Sequence, residues 1–135
     1  MYDVVDIQGA VVTLMTILGH GVDVVFVPRI AALLKRFPQR LPAKILSPEE
    51  TTDEHRPEDP QFIAVRWAVK EAAYKAVYPY HRPTWKDFSY RSLRENRKPE
   101  LRFHPSSSRV GNIHVSVSHD GDYVFASVIV EVSTE

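Results

Sequence analysis

Gln61 to Val77 runs for about four to five helical turns with Ala, Trp, Phe, Lys and Glu throughout and no internal Gly or Pro, until Pro79 stops it. No other stretch commits so strongly to one structure. Around it the chain reads as shorter pieces. Val22 to Val27 is a β-branched strand, after which Pro28 opens a second helical stretch through Ile30, Leu33, Leu34 and Phe37. Ser47-Pro48-Glu49-Glu50 predicts a short helix with Ser47 as N-cap and Glu50 completing a capping box, ended by a loop at Arg56-Pro57-Glu58-Asp59-Pro60. Phe88 to Leu93 and Glu100 to His104 are expected as strands around a turn at Glu95–Pro99. Asn112 to Ser118 and Tyr123 to Val132 alternate as strands joined through His119-Asp120-Gly121-Asp122.

At 135 residues this is one domain, too small to wall off a deep cleft easily by itself, so an oligomer with shared sites is a live expectation. The absence of cysteine removes disulfide scaffolds, Cys zinc sites, redox Cys-x-x-Cys chemistry and thiol nucleophiles. No apolar run approaches the roughly 18 residues of a membrane span. The first residues carry Asp3 and Asp6 and no Lys or Arg, unlike a signal or transit peptide, so no targeting segment is recognisable and the expected setting is cytoplasmic or mitochondrial.

Seventeen basic and seventeen acidic residues balance, which argues against a general nucleic-acid binder. The balance conceals a segregation. Between Arg29 and Lys44 the charges are Arg29, Lys35, Arg36, Arg40 and Lys44, all positive. Between Glu49 and Asp59 six acids face Arg56 alone.

Three groups of residues invite chemistry. Asp23 lies inside Val22-Asp23-Val24-Val25, where an ionised carboxylate is costly unless it is paired, metal-bound or on an exposed face. Glu71 and Lys75 are four apart on the long helix and share a face, with Lys70 adjoining. They form either a surface ion pair of a few tenths of a kcal/mol (about 0.2–0.5) or, with Asp23, a Mg²⁺ site whose lysine faces charge on a phosphate leaving group. In His114-Val115-Ser116-Val117-Ser118-His119, period-2 geometry puts His114, Ser116 and Ser118 on one face, as a phosphate-binding strand end or as the solvent side of an edge strand. A Ser/His nucleophile is disfavoured, because no Gly-x-Ser-x-Gly elbow is present.

In this order and spacing, Gly19-His20-Gly21-Val22-Asp23-Val24, Ile45-Leu46-Ser47-Pro48-Glu49-Glu50, Trp67-Ala68-Val69-Lys70-Glu71-Ala72-Ala73-Tyr74-Lys75, Asn96-Arg97-Lys98-Pro99 and His114 to His119 resemble the holo-[acyl-carrier-protein] synthase family of 4'-phosphopantetheinyl transferases. The match runs from about Ile17 to Val130, leaving residues 1–14 as an N-terminal extension before a transferase domain over 15–135. The resemblance implies an α+β 4'-phosphopantetheinyl transferase fold, an antiparallel sheet packed with a long helix and homotrimer-forming. It implies Mg²⁺-dependent transfer of 4'-phosphopantetheine from coenzyme A to a serine of apo-acyl carrier protein, leaving adenosine 3',5'-bisphosphate. Asp23 and Glu71 match the metal-binding acids, Glu71 or a metal-bound water would accept the serine proton, and Lys75 matches the residue assisting the leaving group. Arg66, Lys70, Pro99, Ser118 and His119 match substrate-binding positions, and Arg29, Lys35, Arg36 and Arg40 the surface that docks an acidic carrier protein. Two features depart from the family. Tyr78-Pro79-Tyr80-His81-Arg82-Pro83 replaces a Gly-rich turn, and Arg97 stands where glycine is common. The Pro83-Thr84-Trp85-Lys86-Asp87-Phe88 stretch resembles eukaryotic stand-alone members, including fungal mitochondrial ones. Two other classes fit the residues alone: a Mg²⁺-dependent phosphodiesterase or nucleotide hydrolase, and a non-catalytic domain that binds acidic proteins.

Overall fold

The computed structural model describes residues 2–5, 11–14, 16–52, 56–92 and 97–134. The chain opens with a hairpin, β1 (Tyr2–Val5) against β2 (Val11–Leu14), in the region expected as an extension. β3 (Ile17–Phe26) then leads directly into α1 (Val27–Arg36), α2 (Arg40–Ile45), α3 (Pro48–Thr52) and the long α4 (Pro60–Val77). A 3₁₀ turn (Trp85–Asp87), the hairpin β4 (Phe88–Arg91) and β5 (Glu100–Phe103), and the hairpin β6 (Val110–Asp120) and β7 (Tyr123–Val132) complete it. The main sheet is antiparallel in the order β3-β7-β6. Among the described residues no helix is long and apolar enough to cross a membrane.

Most of the sequence-expected elements are present, with shifted ends. β3 begins at Ile17, five residues before the expected Val22, and Val27 is already helical. The basic stretch is split, because α1 ends at Arg36 and Arg40 starts α2, a helix the periodicity did not separate. β4 stops at Arg91. Leu93, Glu95 and Asn96 lie outside the described residues. The expected four-residue loop before β7 contracts to Gly121-Asp122, with Asp120 paired to Tyr123 and Gly121 at φ +55°, the left-handed region that glycine enters freely. Asp59, read as loop, caps α4 by accepting from the Gln61 N–H at 2.9 Å.

α4 lies chiefly over β3 and β7. Val25 of β3 and Val124, Ala126, Val128 and Val130 of β7 face it, and Ala68, Ala72, Ala73 and Ala76 of the helix meet them. Such small residues permit an unusually close approach. A Cβ on Gly19 would lie 1.8 Å from the Ala76 carbonyl oxygen, and one on Gly21 1.8 Å from that of Ala72. The two glycines therefore set the helix-to-strand distance, and with it the separation of Asp23 from the next turn of α4.

Among the described residues, nothing is packed on the opposite face of the sheet. Val22, Val24 and Phe26 of β3 and Tyr123 and Phe125 of β7 are each about 42–52% exposed. Phe26 and Tyr123 stack with centroids 5.2 Å apart. Large aromatic and β-branched side chains gathered on an open sheet are the signature of a covered surface.

Candidate active site

Asp23 sits on the helix-facing side of β3, two residues beyond Gly21 at the strand's tight contact with α4. The next turns of α4 present Glu71 and Lys75 to it. Lys75 Nζ donates to the Val22 carbonyl at 2.9 Å and lies 3.4 Å from Asp23 Oδ1, with about half of its side chain in solvent. The lysine thus reaches across to the strand, whereas the bland expectation was an i,i+4 pair with Glu71. Glu71 is half-buried. Burial first, and the Asp23 carboxylate second, raise its proton affinity above the ordinary carboxylate range, against the lowering pull of Lys75 and Arg29. A half-buried carboxylate whose charge is disfavoured by a second one beside it suits a proton or a cation there.

The donor set suits a hard cation. Among the described residues no group of three His, Cys, Asp or Glu side chains could hold a metal. Two partly open carboxylates instead match Mg²⁺, which keeps waters and takes substrate oxygens for its remaining positions. A cleft of about 340 Å³ opens beside Glu71, lined also by Lys70, Tyr74, Pro83, Thr84, Trp85 and Phe88.

A groove of about 890 Å³ lies on the other flank of α4, along β6. Its lining includes Arg56, Arg66 and Lys98 together with Asp59, Pro99 and His119, so three cationic side chains and one acid border the space. Arg66 is buried, its guanidinium 3.6 Å from the centroid of Phe62 and 5.2 Å from that of Tyr90. Arg29 stands 5.4 Å over the Trp67 ring, and its charge is felt at Glu71. Arg36 and Arg40 flank the Phe37 ring at 5.1 and 5.6 Å.

A sequence-family model described as the 4'-phosphopantetheinyl transferase superfamily matches residues 19–128. The chain belongs to that superfamily. Among its curated relatives, the holo-[acyl-carrier-protein] synthase of Koribacter versatilis is 37% identical over 124 residues, covering 85% of this chain and 98% of that protein. The crystal structure of the synthase from Neisseria meningitidis superposes with a TM-score of 0.73 at 30% identity, over 85% of this chain and 98% of that one. That from Bacillus anthracis, in complex with CoA (3',5'-ADP), gives 0.67 at 28% identity, over 89% and 100%. These curated relatives are bacterial and give no support to a mitochondrial setting.

Against the transferase pattern, the expected site residues divide into two groups. Asp23, Glu71 and Lys75 come together on the β3 flank of α4. Arg66, Pro99 and His119 come together on the β6 flank. Ser118 turns the other way, onto the open face of the sheet, because it alternates with His119 along β6. Lys70 is 2% exposed, and although it borders the cleft beside Glu71, its ammonium donates to three protein acceptors. Arg29, Lys35, Arg36 and Arg40, expected to dock a carrier protein, are all exposed, although Lys35 faces a shallow recess beside Pro38 and Glu58. Sequence reasoning assigned no role to Tyr74, Thr84 or Trp85 of the cleft. A tyrosine one turn past Lys70 and a Pro-Thr-Trp turn just after the helix were the available signals.

Proposed function

We propose that this chain is a holo-[acyl-carrier-protein] synthase, transferring 4'-phosphopantetheine from coenzyme A to a serine hydroxyl of an apo-acyl carrier protein. The serine oxygen attacks the pantetheine-side phosphorus of the pyrophosphate. A new P–O bond forms as the bridging P–O bond breaks, and adenosine 3',5'-bisphosphate leaves. Glu71 accepts the serine proton. Lys75 supplies an ammonium toward the charge that accumulates on the leaving oxygen. Mg²⁺ held by Asp23 and Glu71 would neutralise pyrophosphate oxygens. The observation that carries this reading is the convergence of Asp23, Glu71 and Lys75 across the glycine-closed β3–α4 contact, in a chain of this superfamily.

The cationic groove is read as the binding place of the nucleotide phosphates, and α1 and α2 as the carrier-docking surface. α4 stands between the acids and the groove within one chain. A site using both is therefore built from the acid flank of one copy and the groove of another, and the apolar sheet face is read as the contact that brings copies together in a homotrimer. Residues 1–14 stand outside this domain.

Incubation with apo-carrier protein, coenzyme A and Mg²⁺ should add one phosphopantetheine, seen by intact mass. No addition to any of several carrier proteins overturns the assignment. Steady release of adenosine 3',5'-bisphosphate without a carrier would point to a hydrolase instead. Light scattering should give three times the chain mass, and a monomer that turns over normally would contradict the shared site.

A further inference from the structure

The core-facing side of α4 holds a second charged cluster that the transfer chemistry leaves unused. Lys70 donates to the Ile45 carbonyl at 2.7 Å, to Glu50 Oε1 at 2.5 Å and to the Trp85 carbonyl at 3.0 Å. An ammonium has three protons, so these bonds use all of them. Each acceptor belongs to a different piece of the fold: the end of α2, α3, and the 3₁₀ turn after α4. Glu50 is equally engaged, Oε1 accepting from the Ser47 N–H at 2.9 Å and Oε2 from the Tyr90 N–H at 3.0 Å, with Arg66 Nε 3.9 Å away. A buried ion pair is weak as a stabilising device, since apolar residues of similar volume often serve as well or better. Its place in the fold suggests another use. Lys70 is the residue before Glu71, and Trp85, whose carbonyl it holds, lines the same cleft as Glu71 together with Pro83 and Thr84.

We infer that Lys70 and Glu50 are positioning residues for the transfer: a buried clamp that holds the Pro83–Trp85 wall against α4 and fixes the cleft beside Glu71, with neither side chain touching substrate. This rests on the transferase reading. Loss of either partner breaks the same link, so both losses displace the same wall. Displacements of about an ångström at a reacting centre cost up to about 10²-fold in rate.

The test is kcat and KM for coenzyme A in the full-length enzyme, Lys70→Met, Glu50→Gln and the double variant, each checked by circular dichroism at the assay temperature. Each single variant should lose about 10- to 100-fold in kcat, with KM for coenzyme A within about twofold of the parent. The double variant should be no worse than the weaker single, as expected for one shared link. A large rise in KM in Lys70→Met alone would make Lys70 a substrate ligand and overturn the inference. Folded single variants with unchanged kcat, or losses that multiply in the double variant, would also overturn it. A measurement on the unaltered protein covers the case in which the variants do not fold. With ¹⁵N-lysine labelling, the Lys70 ammonium signal should exchange slowly and stay in place on adding coenzyme A, while that of Lys75 moves. A Lys70 shift as large as that of Lys75 contradicts the clamp. Absence of turnover by the parent enzyme, by contrast, would count against the transferase reading itself.

Discussion

Two lysines five residues apart on one helix show how burial divides labour in this molecule. Lys70 lies in the core, all three ammonium protons given to protein acceptors, and burial lowers its pKa despite the raising influence of Glu50. Lys75 is half in solvent, tied among the described residues to the Val22 carbonyl and loosely to Asp23. The same side chain is structural where its donors are used up and available for chemistry where they are not. The contrast extends to the acids. Glu50 is enclosed by donors, whereas Glu71 lies half-open beside a second carboxylate.

The comparison can be broken most severely at the seam that creates it. Gly21→Ala places a methyl 1.8 Å from the Ala72 carbonyl oxygen, so the helix has to move. Overpacking of this kind costs about 1–3 kcal/mol or more, which should lower the unfolding midpoint by roughly 5–15 °C and remove most activity. Thermal melts beside turnover would check it, and an unperturbed Tm would mean the seam is looser than described. Lys75→Met should cut kcat by about 10²-fold, the cost of losing one preorganised donor, while changing stability by less than about 1 kcal/mol because the pair it breaks is exposed. Loss of stability without loss of rate would reverse the roles given to the two lysines.

Glu71→Gln sharpens the contrast through pH. The Glu71 carboxyl holds a proton more tightly folded than unfolded, so between the ordinary carboxylate range and its raised value the folded state carries more protons. Stability therefore falls as pH rises through that window, and above it the full penalty stands. The glutamine variant should unfold at a higher temperature than the parent at neutral pH, with the advantage vanishing below the ordinary carboxylate range. An advantage that grows on acidification would have the wrong sign. The smallest effect is expected at the rim. Arg29→Glu should weaken carrier association and flatten its salt dependence while leaving the fold intact, measured by association kinetics across ionic strength.

Legibility in the sequence follows the same division. The long helix, the capping box at Ser47 and the β6–β7 hairpin were readable because periodicity and capping are local. Asp23, Glu71 and Lys75 were readable because an acid in a valine strand and an i,i+4 pair look anomalous even before they meet. The burial of Lys70 was not legible because its partners are 15 to 25 residues away, at Trp85, Glu50 and Ile45, and nothing local marks a lysine as buried. The capping box disguised Glu50, whose carboxylate caps α3 and also holds α4. The split of α1 from α2 escaped because Arg36, Arg40 and Lys44 continue one basic pattern across the break.

The central claim is that the open flank of α4 performs the transfer and its buried flank only holds it in place. The most direct measurement is a time course of carrier-protein mass with the parent enzyme and Glu71→Gln under identical conditions, both confirmed folded. The account predicts conversion to the phosphopantetheinylated form by the parent and a rate lower by about 10²- to 10⁴-fold for the variant. Equal conversion by the two proteins would contradict it.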